Sequence, residues 1–229
     1  MRILLLSATP FEVEPTVNFL RARATEERGN VLVFPRVEIE VIFGGVGLTS
    51  TAFVMGQRLA GRDRPDLCLQ AGIGGAYEHS LALGQVVRVT SERFGDLGAE
   101  DADGNWLSLA DIGLPPGPPF GPAGELTLPP GAVPLPGLDE VSGLSVNRAS
   151  GSQRTIDRIR AAFPEVAVES MEGAAFFYAC LSAGLEPVQL RAISNYVEPR
   201  NREAWRMREA ITALNDTLRQ LLGSFLGVE

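Results

Sequence analysis

Glu12 and Glu172 are the side chains best placed for acid–base and sugar-binding chemistry, because each follows a short apolar run. Glu12 comes three residues after Thr9 and two after Pro10, a spacing typical of a helix capping box. Its carboxylate could instead take a proton from a water molecule at the ligand edge of a sheet. Glu172 stands where a strand runs into a helix. It could accept hydroxyl hydrogen bonds from a sugar, or only complement the helix dipole.

Asn195 follows Ser194 directly after the strand-like run at residues 187–193 and is a candidate for recognising a purine. An amide both donates and accepts hydrogen bonds, which suits a purine edge that presents a carbonyl oxygen and a ring nitrogen. An ordinary loop asparagine is the alternative interpretation of this position.

Two glycine-rich segments could bring the backbone close to a ligand. Residues 44–50 precede a helical pattern, but Ser50 takes the place of the third glycine of a dinucleotide-binding turn, and no acidic residue follows at a second strand end. Amides at this helix N-terminus could still face a polar ligand or a water molecule. Residues 72–75, Gly-Ile-Gly-Gly, offer a second close approach, with tight-turn packing as the alternative.

The basic residues exclude several kinds of catalytic site. All 20 of them are arginine, and His79 is the only histidine. A P-loop lysine, a Schiff-base lysine and a lysine general base are therefore excluded. His79 lies in a polar segment and is more typical of a surface turn than of a catalytic triad or a metal site. Acid–base chemistry is left mainly to carboxylates.

The bulk properties favour one globular domain, residues 1–229, that acts on a small molecule. A net charge of -8 with no basic run argues against a nucleic-acid partner. No apolar stretch reaches about 18 residues, so no membrane span is expected. The N-terminus is more typical of a buried first strand than of a signal peptide. Cys68 and Cys180 stand in apolar contexts, which favours a reduced, cytoplasmic compartment.

Apolar runs closed by small residues alternate with helical periodicity along the chain. Runs of about five to seven residues, which fit strands covered on both faces, occupy residues 2–6, 37–43, 66–70, 85–90 and 187–193. Helical patterns occupy residues 49–59, 152–163, 172–183 and 201–226. The order predicts a three-layer α/β/α fold around a central mixed, largely parallel sheet. Ligands in such folds bind beyond the carboxyl ends of the strands.

Residues 113–137 depart from this pattern because they are rich in proline and glycine. They are expected to form an irregular excursion on the surface. A tolerated insertion is the favoured interpretation, with a lid or a subunit contact as alternatives.

In chain order, five segments resemble the family of methylthioadenosine/adenosylhomocysteine nucleosidases and purine nucleoside phosphorylases. They are Glu12 after the first strand, Gly-Val-Gly-Leu at 45–48, Gly-Ile-Gly-Gly at 72–75, Ser-Met-Glu-Gly-Ala at 170–174 and Arg-Ala-Ile-Ser-Asn at 191–195. The resemblance spans nearly the whole chain and is weakest through residues 113–137. It implies a nucleoside phosphorylase/hydrolase-like fold. Because members of this family commonly associate, it also implies a homo-oligomer, a dimer or larger.

The resemblance implies roles for the matching residues. In the hydrolytic members an acid after the first strand activates the attacking water, a role implied for Glu12. The Met-Glu pair of the family packs on the ribose and hydrogen-bonds it, which implies substrate contacts for Met171 and Glu172. Further substrate contacts are implied for Gly45, Ile73, Gly74 and Ser194.

Asn195 departs from the adenine-specific nucleosidases, which carry an aspartate that protonates N7 of the base. A 6-oxopurine presents O6 and N7 as acceptors, and Asn195 can donate to both. Together with a hydrolytic Glu12, this is the combination expected of the members that release hypoxanthine from futalosine in an alternative menaquinone pathway. The strings at residues 94–100 and 195–201 also look like that subgroup. The implied reaction needs water and no metal or organic cofactor.

Futalosine carries a carboxylated aromatic group beyond its sugar, so an arginine is expected to bind that end. Arg202 is the chosen candidate, with Arg200 and Arg206 beside it, because all three follow Asn195 closely. A solvated helix start explains these arginines equally well.

Three alternative functions stay open at the level of sequence. An adenine nucleosidase would need an unusual asparagine at position 195. A phosphorylase would need cationic phosphate clamps, yet neither residues 7–12 nor 44–50 contain arginine. The incomplete glycine motif and the two site carboxylates weigh against a non-catalytic nucleotide-binding protein.

Overall fold

A mixed β-sheet crosses the centre of the protein, and helices cover both of its faces. The computed structural model describes residues 1–226, so residues 227–229 of the predicted domain lie outside the described residues. The strands are β1 (Arg2–Ser7), β2 (Glu26–Arg28), β3 (Val31–Val33), β4 (Glu38–Phe43), β5 (Leu67–Ala76), β6 (Val86–Phe94), β7 (Ala99–Glu100), β8 (Trp106–Leu107), β9 (Leu126–Thr127), β10 (Asp139–Ser145), β11 (Val168–Ser170) and β12 (Pro187–Tyr196). The helices are α1 (Pro10–Arg21), α2 (Leu48–Leu59), α3 (Gln153–Ala162), α4 (Gly173–Ser182) and α5 (Met207–Leu226), with a 3-10 turn at Arg202–Ala204.

The strand order of the main sheet is β11-β10-β6-β12-β5-β1-β4-β3-β2, and β9 pairs with β6. Strands β4, β1, β5 and β12 are parallel neighbours, and so are β6, β10 and β11. Strand β12 runs antiparallel to β6, and β11 returns to pair antiparallel with β5. Strands β5, β12, β6, β10 and β11 therefore close into a ring. The prediction of a mixed, largely parallel sheet is confirmed.

The helices form the two outer layers of the predicted α/β/α arrangement. On one face, α1 and α5 bury side chains such as Val13, Val17 and Leu214 against the sheet. On the other face, α2 and α4 pack together and bury side chains such as Met55 and Phe176. Helix α3 packs beside the end of β10.

Strand β1 shows why continuous apolar runs form the centre of the sheet. Ile3 and Leu5 belong to the core under α1 and α5, whereas Leu4 and Leu6 belong to the core under α2 and α4. Successive side chains of a strand point to opposite faces. A strand covered on both faces therefore needs apolar residues at every position.

Helix α5 begins later than its sequence pattern predicts. The predicted start at residue 201 is wrong, because the 3-10 turn at Arg202–Ala204 and the extended backbone of Trp205 precede the helix. From Met207 onward, Leu214, Leu218 and Leu222 recur at four-residue spacing and are fully buried, as an amphipathic helix requires. Within residues 1–226, no helix combines the length and the apolar character that crossing a bilayer demands.

Strand β5 also differs from the prediction, which ended it at residue 70. It continues through the glycine segment to Ala76 and pairs with β12 along almost its whole length. The glycines serve close side-chain approach rather than a turn. A Cβ on Gly74 would lie 2.8 Å from Val168 Cγ1, and a Cβ on Gly75 would lie 3.0 Å from Asn195 Nδ2.

Residues 113–137 are irregular, as predicted, but they are anchored to the sheet. Within this excursion β9 pairs with β6, and the side chain of Leu126 is fully buried in the core under α2 and α4. The buried Arg88 donates a hydrogen bond of 2.7 Å to the carbonyl oxygen of Val133. The excursion is therefore tied to the sheet at two points, β9 and Val133.

Replacement of Leu126 tests how much stability the anchored excursion contributes. We expect Leu126→Ala to lower the free energy of unfolding by about 2–5 kcal/mol, because it leaves a cavity in a closed core. Val133→Ala in the same excursion, where the side chain is exposed, should change it by less than about 0.5 kcal/mol. Urea unfolding followed by circular dichroism measures both. Equal midpoints for the two variants would show that the excursion is not part of the cooperative fold.

Candidate active site

A cavity of about 320 Å³ opens where β1, β5 and β12 end. Seven of the nine predicted site residues line it, namely Glu12, Ile73, Gly74, Met171, Glu172, Ser194 and Asn195. The lining does not include Gly45 or Arg202, whereas Val46, next to Gly45, and Arg200, two residues before Arg202, belong to it. The carboxyl edge of the sheet thus brings together residues that are far apart in the chain.

Glu12 holds the start of α1 and also faces the cavity. Its Oε2 atom accepts hydrogen bonds from Ser7 Oγ at 3.1 Å, from the Thr9 amide at 3.1 Å and from Thr9 Oγ1 at 3.2 Å. Its Oε1 atom accepts from the Ile73 amide at 3.1 Å. Capping and chemistry are therefore compatible, because one oxygen is used by the cap and the other retains room for a further donor.

Gly72 lets Glu12 and Arg191 share one region of the site. A Cβ at this position would lie 2.6 Å from Arg191 Nη1 and 2.9 Å from Glu12 Oε1. Because Gly72 has no side chain, the Glu12 carboxylate and the Arg191 guanidinium both have room beside β5. The sequence places Arg191 in the Arg-Ala-Ile-Ser-Asn motif but indicates no role for it. Because β12 pairs with β5, Arg191 lies opposite Gly72 and beside Glu12.

Glu172 is a buried carboxylate fixed from two sides. Its Oε1 atom accepts from the Gly47 amide, at the N-terminus of α2, at 3.2 Å. Its Oε2 atom forms an ion pair with Arg191 Nη1, also at 3.2 Å. Both contacts leave acceptor positions free on the carboxylate, so it can still bind hydroxyl groups of a ligand.

Ser194 orients the amide of Asn195. The Ser194 hydroxyl lies 2.8 Å from Asn195 Oδ1 and can donate to it, and Asn195 Nδ2 donates to the Tyr196 carbonyl oxygen at 2.9 Å. The second hydrogen on Nδ2 stays available to a ligand. Asn195 can therefore act as a donor toward the cavity.

The cavity also contains polar residues that the sequence analysis missed. Glu169 and Ser150 line it, and Tyr77 donates a 2.5 Å hydrogen bond to Glu169 Oε2. Glu169 directly precedes the Ser-Met-Glu-Gly-Ala motif at residues 170–174, but the motif assigns no role to it. The antiparallel pairing of β11 with β5 places Glu169 opposite Gly75.

A fully buried carboxylate, Glu92 of β6, supports the start of α4 close to Glu172. Gln189 Nε2 donates to its Oε1 atom at 2.8 Å, and Ser145 Oγ donates to its Oε2 atom at 3.0 Å. A Cβ on Gly173 would overlap Glu92 Oε1, so only glycine fits there. Burial, opposed in part by the hydrogen bond from Gln189, raises the pKa of Glu92 to about 7.

Exposed arginine side chains and a half-buried tryptophan stand at the open end of the cavity. Arg200 and Trp205 both line it, with Arg200 Cζ 5.8 Å from the centre of the Trp205 ring. Arg202 stacks at a similar distance, 5.9 Å, but outside the lining. His79 is exposed, with its ring 3.9 Å from that of Tyr196.

Sequence comparison places this chain in a known group of enzymes. A futalosine hydrolase from Streptomyces coelicolor is 36% identical over 163 residues, a match that covers 68% of this chain and 65% of that protein. A futalosine hydrolase from Thermus thermophilus is 32% identical over 195 residues, covering 78% of each. The chain belongs to the futalosine hydrolase family. No protein-family profile matches the sequence.

Solved structures agree with this family assignment at the level of the fold. The native structure of futalosine hydrolase from Helicobacter pylori aligns with a TM-score of 0.76 at 16% identity, covering 98% of each chain. An S-adenosylhomocysteine nucleosidase from Streptococcus pyogenes, solved with 5-methylthiotubericidin, aligns with a TM-score of 0.73 at 20% identity, covering 99% of this chain and 96% of its own. The predicted nucleosidase-like fold and the predicted hydrolase class are both confirmed.

The raised pKa of Glu92 predicts a defined pH dependence of stability. Folding raises this pKa from 4.5 to about 7. Between these values the folded state holds a proton that the unfolded chain releases, so the free energy of unfolding falls as pH rises through that window. We expect Glu92→Gln to weaken this dependence. Gln189 Oε1, which has no partner among the described residues, can turn to accept from the new amide.

Urea midpoints at about pH 5 and about pH 8, on either side of the Glu92 titration, measure the effect. Glu203→Gln, at an exposed position, is the matched control and should keep the wild-type pH dependence. An unchanged pH dependence in Glu92→Gln would mean that Glu92 does not titrate in this range.

Proposed function

We propose that the protein hydrolyses the N-glycosidic bond of futalosine, releasing hypoxanthine and dehypoxanthine futalosine for menaquinone biosynthesis in the cytoplasm. The observation that carries this proposal is the lining of a single cavity by Glu12, Glu172 and Asn195. These side chains can activate water, bind a sugar and donate to a 6-oxopurine. Membership of the futalosine hydrolase family supports the choice of substrate.

The ribose is held by Met171 and Glu172. The Glu172 carboxylate keeps acceptor positions beside its contacts with Arg191 and Gly47, so it can accept hydrogen bonds from two hydroxyl groups. Met171 packs on the apolar face of the sugar. Because Glu172 is fixed from two sides, little conformational freedom is lost when the substrate binds.

Hydrolysis proceeds by displacement at the anomeric carbon, C1′. The bond from C1′ to the purine breaks first, and its electron pair goes to the purine. The ribose ring thereby gains positive charge. Asn195 Nδ2 donates to the departing purine and stabilises the negative charge on it. The water oxygen bonds to C1′ while its proton passes to Glu12 Oε1, a contribution of about 10²–10⁴ to the rate for a well-placed base. The purine anion then takes up a proton from water and Glu12 returns its proton to water, so that neutral hypoxanthine leaves and the carboxylate is restored.

The cavity is less suited to the alternative reactions. Arg191, the cation beside Glu12, is already paired with Glu172, and two carboxylates would repel a phosphate nucleophile. An adenine nucleosidase would want a protonated acid at position 195, whereas Asn195 cannot give up a proton at neutral pH. A general base, Glu12, that is held next to the sugar site at Glu172 argues for catalysis rather than simple nucleotide binding.

The distal carboxylate of futalosine fits Arg200 better than Arg202. Arg200 lines the open end of the cavity beside Trp205, which offers a flat surface to an aromatic ring. Arg202 lies outside that lining. We therefore assign the carboxylate-binding role predicted for Arg202 to Arg200 instead.

We further propose that the protein acts as a homo-oligomer of single-domain subunits, residues 1–229. Phe11 and Val46 line the cavity yet are 64% and 55% exposed. Large apolar side chains exposed at the edge of a site are typical of a surface that a second subunit covers.

The direct test is release of free base from futalosine, inosine and methylthioadenosine, each with and without phosphate. We expect hypoxanthine from futalosine at a rate independent of phosphate. Adenine release from methylthioadenosine would replace the proposed substrate, and a requirement for phosphate would replace the proposed reaction.

Glu12→Gln tests the proposed general base. Turnover of futalosine should fall by about 10²–10⁴ with little change in KM, because a carboxamide cannot take the proton of water. Glu14→Gln, exposed on the same helix, should behave as wild type. A near-normal turnover number in Glu12→Gln would leave Glu12 as a capping residue only.

Arg200→Ala and Arg202→Ala form a matched pair for the distal carboxylate. We expect Arg200→Ala to raise KM for futalosine about tenfold through loss of a charge-assisted hydrogen bond. KM for inosine, which lacks the distal group, should not change. Arg202→Ala should change neither value. The reverse outcome would return the role to Arg202.

A further inference from the structure

Glu169 is a further carboxylate in the lining of the cavity, beside Glu12 and Glu172, and the reaction described above gives it no role. It belongs to β11, is 7% exposed and lines the cavity together with Ser150. Glu169 pairs with Gly75 of β5, which pairs on its other side with Asn195 of β12. Side chains paired across neighbouring strands point to the same face of a sheet. Glu169 and Asn195 therefore flank one glycine on the cavity side.

Three neutral donors hold the Glu169 carboxylate in place. The Ser150 amide donates to Oε1 at 2.8 Å, while Ser150 Oγ and the Tyr77 hydroxyl donate to Oε2 at 2.6 and 2.5 Å. Burial and the nearby Glu169 charge raise the pKa of Tyr77, so its hydroxyl stays protonated and remains a donor. A carboxylate offers about four acceptor positions. About one is left for a ligand.

This arrangement changes what the cavity wall offers to a purine. The Ser150 amide would otherwise be a donor at this place, but Glu169 occupies it. The wall therefore presents an acceptor. A 6-oxopurine carries a hydrogen on N1, whereas N1 of adenine carries a lone pair. A negatively charged acceptor attracts the N1 hydrogen of a 6-oxopurine and repels the N1 lone pair of adenine.

Asn195 alone does not provide this discrimination. Its free Nδ2 hydrogen can donate to N7 of either class of purine. The difference between the classes is largest at N1 and at the substituent on C6. A group that distinguishes them must therefore lie further along the base, and Glu169 is the cavity carboxylate on the opposite side of Gly75 from Asn195.

We propose that Glu169 is a specificity-determining residue that accepts a hydrogen bond from N1–H of a 6-oxopurine, with Ser150 and Tyr77 as its positioning residues. The inference rests on the proposed function, since it places the purine of the nucleoside in this cavity. It extends that function by naming the group that selects hypoxanthine over adenine.

Binding of free bases tests the contact without requiring catalysis. Isothermal titration calorimetry of the wild-type protein compares hypoxanthine with 1-methylhypoxanthine, which lacks the N1 hydrogen, and with adenine. We expect hypoxanthine to bind about 10- to 100-fold more tightly than either, the range for a hydrogen bond to a charged group. In Glu169→Gln, this preference should fall to within about threefold, because the charge is lost while the shape is kept.

Two further sets of variants control for indirect effects. Tyr77→Phe and Ser150→Ala each remove one donor from Glu169, and we expect a partial loss of the same preference. A purely structural role would lower thermal stability and leave the ratio of the two affinities unchanged. Glu78→Gln, exposed and next to Tyr77 in the chain, should keep the wild-type ratio.

The outcomes separate this inference from the proposed function. A Glu169→Gln variant that is folded and still prefers hypoxanthine to the wild-type extent would overturn the N1 contact, whether or not futalosine is hydrolysed. A wild-type protein that does not cleave futalosine, but shows the Glu169-dependent preference for hypoxanthine, would overturn the proposed substrate and support the N1 contact.

Discussion

A buried ion pair between Arg191 and Glu172 holds the active site together. Their charged atoms lie 3.2 Å apart, and both side chains are almost inaccessible to solvent. Removing such charges from water costs several kcal/mol for each ion. The pair is tolerated because Arg191 also donates to Gln70 and to the Ile73 carbonyl oxygen, while Glu172 accepts from the Gly47 amide. These contacts link β12, β5 and the starts of α2 and α4, so the Glu172 carboxylate, the proposed sugar ligand, is fixed before a substrate arrives.

The glycines of β5 make room for the buried charges. Gly72 leaves the space into which Glu12 Oε1 and Arg191 reach, and Gly75 leaves the space for Asn195. Larger residues would push these groups apart or out of the sheet. A strand in the centre of the sheet therefore accepts glycines, which weaken strands, in exchange for close approach of reactive side chains.

The carboxylates of the site differ in what surrounds them, and this separates their roles. Glu12 keeps one oxygen open toward the cavity, Glu172 is paired with a cation, and Glu169 is held by neutral donors. Glu92 has no access to solvent, and its burial favours the protonated form near neutral pH. A carboxylate can thus serve as a general base, a sugar ligand, a purine-recognition group or a structural support, according to its neighbours.

The sequence by itself determined the layered α/β/α fold and most helices, because continuous apolar runs are local signals. Motifs at strand ends, which are also local, singled out Glu12, Met171, Glu172 and Asn195 as candidate site residues. The tertiary structure decided the rest. The continuation of β5 through its glycines, the ion pair of Arg191 and the entry of Glu169 into the cavity all depend on β11 and β12 pairing with β5. Such pairings join residues about 100 positions apart, and no local pattern encodes them.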